Sequence, residues 1–274
     1  MAAFQRTGKA QCSPRQASSY GLFGPYDANI LGGLLLGAGM TLTGSCPGTV
    51  LVQLATGVKS SLYVAVGTVV GGALFSRSSP LFSKVEPSPK ISAQPTIHQY
   101  FSLDATRTLA SFEIAYMSVV AFLALVMAQR NYEIIHPILG GVLIGLAQAA
   151  TIFLTGSPIG VSLVYEHLGQ YVCRALGWKN AKISPGIPNS VMFAVGIMAG
   201  SSVTAALLPA RPIDTIDVST VRALFGGAIL AIGSRIASGC TSGHGISGLS
   251  TLSISSFVTV GAMFGGGIAT AFIW

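Results

Sequence analysis

Long apolar blocks separated by shorter polar or glycine-rich interruptions dominate the chain. A helix that crosses a membrane needs roughly 20 mostly apolar residues, and fewer where it lines a protein interior. Seven blocks meet or approach that length, at about 28–44, 61–76, 109–129, 136–155, 189–209, 220–238 and 254–273. Three further apolar pieces, at about 47–58, 158–173 and 245–252, each follow a glycine-rich break and are too short to cross alone. The pattern predicts an all-α, polytopic membrane protein with about seven long helices and three half-helices. Residues 1–27 read as a polar N-terminal tail and 28–76 as a first transmembrane part. Residues 77–108, rich in Pro, Ser and charge, read as an exposed linker, and 109–274 as a second transmembrane part carrying two repeat units.

The internal repetition gives the breaks their meaning. "ILGGLLLGAGMTLTGSCPGTVLVQLATGV" from Ile30 aligns with "LFGGAILAIGSRIASGCTSGHGISGLSTL" from Leu224. Each opens on a GG pair, runs one apolar helix and breaks around a cysteine. The segment "ILGGVLIGLAQAATIFLTGSPIGVSLVYEHL" from Ile138 follows the same plan with "TGSPIG" at the break and no cysteine. Repeats with broken helices point to a transport site near the bilayer midplane. Irregular backbone at that depth is tolerated only where protein or a water-filled cavity satisfies its polar groups. The breaks are therefore expected to face one another around a path.

Composition sharpens this picture without changing it. Charged residues make up 8% of the 274 residues against 51% hydrophobic, a deficit that places the chain in a lipid bilayer. The 34 glycines suit a tight bundle, and the GG pairs Gly32–Gly33, Gly71–Gly72, Gly140–Gly141, Gly226–Gly227 and Gly265–Gly266 read as helix contacts. The net charge of +7 lies mostly in loops and sets orientation. No basic cluster interleaved with aromatics suggests nucleic acid as a partner. A GxxxxGK[ST] nucleotide loop is missing from the sequence, and no ligand set at metal spacing stands out, so no cofactor and no metal are predicted.

Chemistry concentrates at the breaks. Pro47 after Cys46 and Pro158 after Ser157 occupy the position favoured by proline at the start of a helix, which puts Cys46 and Ser157 near N-caps. Free backbone N–H groups and the positive dipole end there make an anion site, and the glycines Gly44, Gly48, Gly156, Gly239 and Gly243 allow close approach. A thiol suits an anion with a soft sulfur better than it suits phosphate. The candidate substrate-binding or translocation residues are therefore Cys46 and Cys240, with Gly44, Ser45, Gly48, Gly156, Ser157, Gly239, Thr241, Gly243, His244 and Arg235. Arg235, inside an apolar block, reads equally well as a functional cation or as a partner of helix C-terminal carbonyls. His244 reads as a donor to the anion or as a loop support. Cys12 reads as an idle thiol in the tail and Cys173 as a packed residue; Glu113 and Glu166 carry no assignment. Trp178 and Trp274 sit where interfacial anchors would.

The segments "LGGLLLGAGMTLTGSCPGT" and "GSRIASGCTSGHGISG", in their repeated setting, resemble the YeeE/YedE family of membrane proteins with sulfur-transport domains, from about residue 20 to the C-terminus. The resemblance implies a channel-like helical transporter, not an enzyme, in which loop cysteines pass thiosulfate or a related sulfur anion along by contacts to its terminal sulfur. Cys46 and Cys240 match those loop positions. Fuller members carry a further repeat before the one at Ile30, so the resemblance implies a pore lacking one quadrant, completed by a partner chain or served by a sulfur-carrier protein. Two other readings compete. One is a membrane sulfurtransferase or thiol redox enzyme with a persulfide on Cys46 or Cys240; it needs a base, and His244 alone offers itself locally. The other is a non-transporting, truncated family member.

Overall fold

A computed structural model of the chain describes residues 14–78, 95–127, 137–156, 160–177, 188–207 and 218–274. Among these the elements are helical: α1 Asp27–Thr43, α2 Pro47–Ala55, α3 Lys59–Ser78, a single turn Ile97–Tyr100, α4 Ala105–Met127, α5 Pro137–Thr155, α6 Ser162–Ala175, α7 Asn189–Leu207, α8 Thr220–Ile236, a π-helical segment Ser242–Gly248, and α9 Ile254–Ile273. Four stretches of the described residues are long and apolar enough to cross a membrane: Asp27–Ala55, which contains the Cys46 break, Ile138–Thr155, Asn189–Leu207 and Ile254–Ile273.

The core is built by α1, α3, α8 and α9. α1 lies antiparallel to α8, because the Cα of Gly32 abuts Gly233 and Ala237 while that of Gly39 abuts Leu230. It runs parallel to α9, with Gly33 against Thr259 and Ala262, and the Thr41 hydroxyl donating to the Gly267 carbonyl at 3.1 Å. α3 is parallel to α8, where Gly67 meets Leu224 and Gly71 meets Ala228. The packing is reciprocal: α1 rests on α8 and α9, and α8 rests on α1 and α3. At Gly32, Gly33, Gly39, Gly67, Gly71 and Gly233 a Cβ would collide with the facing backbone, so the close approach exists because a side chain is missing. Leu36, Val50, Val64, Leu230 and Met263 fill the apolar centre.

Gly140–Gly141 departs from the expectation for GG pairs. Among the described residues neither glycine, nor Gly145 on the same helix, has another group within 4 Å of where a Cβ would stand. The reason is placement: α5 lies at the edge of the described bundle with Ile138, Leu139, Val142 and Leu143 exposed. α4 is similarly peripheral, touching α9 through an edge-on contact of Phe112 with Phe257 at 5.7 Å.

Two stretches that read as polar connections are in fact packed in their described parts. Residues 14–26 fold onto the start of α1: the Ser18 N–H donates to Asn29 Oδ1 at 2.8 Å, and the N–H groups of Tyr20 and Leu22 donate to the buried carboxylate of Asp27 at 2.7 and 2.6 Å. Of the linker, Pro95 and Ile97 pair antiparallel with Leu252 and Ile254, and Thr96 is buried. In both cases unpaired backbone groups supply the bonding that apolar surface does not.

Candidate functional site

α1 ends at Gly44, whose φ of +64° is the left-handed cap favoured by glycine. Two residues later Cys46 is the N-cap of α2, with Pro47 at the first helical position as the sequence predicts. Its sulfur accepts from the Thr49 N–H at 3.5 Å while the Thr49 hydroxyl accepts from the Cys46 N–H at 2.7 Å, a reciprocal capping box made with a thiol. Ser45 is buried and Cys46 partly exposed. A Cβ on Gly48 would stand 3.9 Å from the Cys46 sulfur, in ordinary contact, so space there is not tight. Removing the box by Thr49→Val is expected to cost about 1 kcal/mol of stability, with Thr49→Ser recovering most of it; the unfolding midpoint of the purified protein reads the difference.

The Cys240 break is more enclosed. After α8 the chain passes Ser238, at φ +63°, and turns back so that the Thr241 hydroxyl donates to the Met40 sulfur at 3.3 Å on α1. Cys240 is 1% exposed and its sulfur lies 3.1 Å from the Ser242 hydroxyl. His244 is equally buried. Its Nε2–H donates to the Ala237 carbonyl and its Nδ1 faces the Ser256 hydroxyl, both at 3.1 Å, so the ring straps the loop to α9. Gly239 and Gly243 are filled from outside: a Cβ on Gly239 would meet the His244 ring, and one on Gly243 would meet the Arg15 guanidinium.

At the third break, Gly156 has φ +68° and its N–H caps α5; Ser157 and Pro158 lie outside the described residues, as do Cys12 and Trp178. The helix that follows, α6, starts at Ser162 and carries Tyr165 into the site. The buried Tyr165 hydroxyl donates to the Pro47 carbonyl at 2.5 Å, one residue after Cys46. Val161, Val164 and Tyr165 pack with Leu51 of α2 and Ala194 of α7. The Cys46 break is thus tied to the helix after the third break through Tyr165, and the Cys240 break to the end of α1, which leads into Cys46, through Thr241 and Met40. Tyr165 is not among the residues that the sequence singles out, although it follows the "TGSPIG" break by a few positions.

Arg235 is not an unspent charge. Its guanidinium pairs with Glu166 of α6 at 2.5 Å and lies over the Phe75 ring at 5.9 Å from the centroid. Gln170 supports the carboxylate from one turn further along α6. Cys173 is buried against α3, near the Ala73 carbonyl. Among the described residues no disulfide joins Cys46, Cys173 and Cys240, and no three His, Cys, Asp or Glu side chains gather as metal ligands. Trp274 lies under the Arg222 guanidinium.

Apolar helices wrapped around breaks that carry thiols and helix N-termini define a membrane protein of the solute-transport class. The chain belongs to the family described as "Sulphur transport", whose model matches residues 2–269. Among its relatives are a probable transporter of Xylella fastidiosa strain 9a5c, 32% identical over half of this chain and 91% of its own length, and one of strain Temecula1, 31% identical over the same share. The thiosulfate transporter TsuA of Spirochaeta thermophila is 24% identical over 92% of this chain and 77% of its own length.

Proposed function

We propose that this chain is a multi-pass membrane transporter that passes a small sulfur-containing anion, thiosulfate, along a path lined by its helix breaks. Cys46 and Cys240 serve as soft contacts for the terminal sulfur. The observation that carries this reading is the linkage of the two thiol-bearing breaks: Thr241, next to Cys240, bonds Met40 near the end of α1, which leads into Cys46, and Tyr165 bonds Pro47 from the helix after the third break. The reciprocal packing of α1 and α8 supports the repeat reading in which seven helices cross the membrane and three half-helices line the path. The N-terminus of α2 at Cys46 supplies a positive dipole end for the oxygen-bearing end of the ion. The name of the Spirochaeta relative supports thiosulfate as the cargo. The sulfurtransferase alternative depended on His244 as a base, and both ring nitrogens of that residue are engaged with Ala237 and Ser256.

The test is uptake of radiolabelled thiosulfate by thiosulfate-dependent cells expressing the chain, with Cys46→Ala and Cys240→Ala beside it at equal membrane abundance. Uptake by the parent chain that either substitution abolishes is the expected result. Uptake that survives both substitutions removes the thiols from the mechanism, and no uptake by the parent chain removes transport by this chain alone.

A further inference from the structure

Arg15 lies in the segment before α1, a region whose sequence reads as a basic tail. Its backbone carbonyl accepts from the hydroxyls of Ser253 at 2.7 Å and Ser255 at 3.0 Å. Its side chain reaches the Cys240 loop, where Nε donates to the Gly243 carbonyl at 2.9 Å and Nη1 to the Ser238 carbonyl at 2.7 Å. The fit is close: a Cβ on Gly243 would stand 2.6 Å from Nη2, and one on Gly239 would stand 2.8 Å from Nη1. These two glycines are therefore required by the guanidinium as much as by any ligand.

The electrostatics are unusual for a cation in this chain. Arg235 is neutralised by Glu166, whereas among the described residues no carboxylate pairs with Arg15. Arg15 instead bonds the loop on either side of Cys240, at the Ser238 and Gly243 carbonyls. Two carbonyls hold Nε and Nη1 in place, and Nη2 makes no hydrogen bond among the described residues. With Nε and Nη1 each held by a carbonyl, the guanidinium is fixed in place and keeps the N–H groups of Nη2 as donors for an oxyanion oxygen.

We propose that Arg15 is the charge-recognition residue of the Cys240 break: its Nη2 N–H groups hold the oxygen-bearing end of a sulfur oxyanion whose terminal sulfur meets the Cys240 thiol. This rests on the transport reading above and adds what makes that break select an anion. It also gives residues 14–26 a part in the site, since their packing against Asn29 and Asp27 fixes where the guanidinium lies.

The experiment uses the full chain purified in detergent, with Cys12, Cys46 and Cys173 replaced by alanine so that Cys240 is the one thiol. Rates of Cys240 modification are measured with an anionic methanethiosulfonate (ethylsulfonate) and a cationic one (ethyltrimethylammonium), in the presence of Arg15 and in Arg15→Gln and Arg15→Lys. A charge held on the same loop as a shielded thiol changes the rate of each reagent in opposite directions, so the anionic-to-cationic ratio is expected to fall by about tenfold or more in Arg15→Gln. Arg15→Lys keeps most of the ratio. Loosening of the loop alone speeds both reagents and leaves the ratio unchanged. A ratio that is the same with Arg15 and with Gln overturns the proposal, as does failure of both reagents to reach Cys240. In the cysteine-intact chain, Arg15→Gln is expected to raise the KM for thiosulfate uptake by about tenfold with a smaller change in maximal rate. A parent chain that takes up no thiosulfate yet shows the Arg15-dependent ratio loses the transport reading and keeps this one; a parent chain that transports and shows no such ratio does the reverse.

Discussion

Glu166→Gln is expected to destabilise the protein by about 3 kcal/mol, and Arg235→Met by a similar amount, while the double variant recovers most of the loss. The pair is largely removed from solvent, each side chain being 18% exposed, and it joins α6 to the last turn of α8. Removing the carboxylate takes the Glu166 counter-charge from a guanidinium that lies against the Phe75 ring, and removing the guanidinium takes the Arg235 counter-charge from a carboxylate that also accepts from Gln170. Removing both leaves surfaces that pack without either penalty. Part of the gain is screened because the pair is not fully dry, which keeps the figure at the lower end for buried pairs. Unfolding midpoints of the four proteins in the same detergent form the double-mutant cycle. Additive losses would show that the two charges do not need each other.

Gly37→Val is the second large effect. A Cβ at Gly37 would fall on the Met263 carbonyl and close to the Gly267 nitrogen, so α1 and α9 must separate along their parallel contact. The facing atoms are backbone, which cannot rotate away as a side chain could. A loss of about 3 kcal/mol or more is expected, seen as little folded protein recovered from membranes. Gly141→Ala provides the contrast. Its site is open, and exchange there removes the cost of glycine in a helix, so stability rises by about 0.5–1 kcal/mol. Equal destabilisation by both changes would remove close packing as the explanation.

That contrast also marks how far the sequence could be read. Gly32–Gly33 and Gly140–Gly141 sit in nearly identical local contexts, and only the assembled bundle tells a helix contact from an open helix face. Helix positions were legible because apolar runs and their breaks are local: the block expected at 28–44 is α1, Asp27–Thr43, and that at 254–273 is α9, Ile254–Ile273. The Cys46 N-cap was legible because proline after a capping residue is a local signal. Arg15 was not, since its contacts with Gly243 span 228 residues and its neighbours in sequence resemble any basic tail. Glu166 was visible as an acid in an apolar setting and Arg235 as a cation in another, but nothing in either segment says that they meet. Tyr165 escaped notice for the same reason: its role is set by the Pro47 carbonyl, 118 residues away.

Asn29, buried at the start of α1, donates to the hydroxyl of Thr259 in α9, 230 residues later. α1 therefore leaves the ribosome with a polar group whose partner belongs to α9. In a bilayer that group finds no water to replace the missing bond. α1 must wait, shielded or at the membrane surface, until α8 and α9 arrive, and the bundle closes late in a single long-range step. Variants at Asn29 or Thr259 should then show their defect first in the yield of newly made protein, before any change in what the finished molecule does.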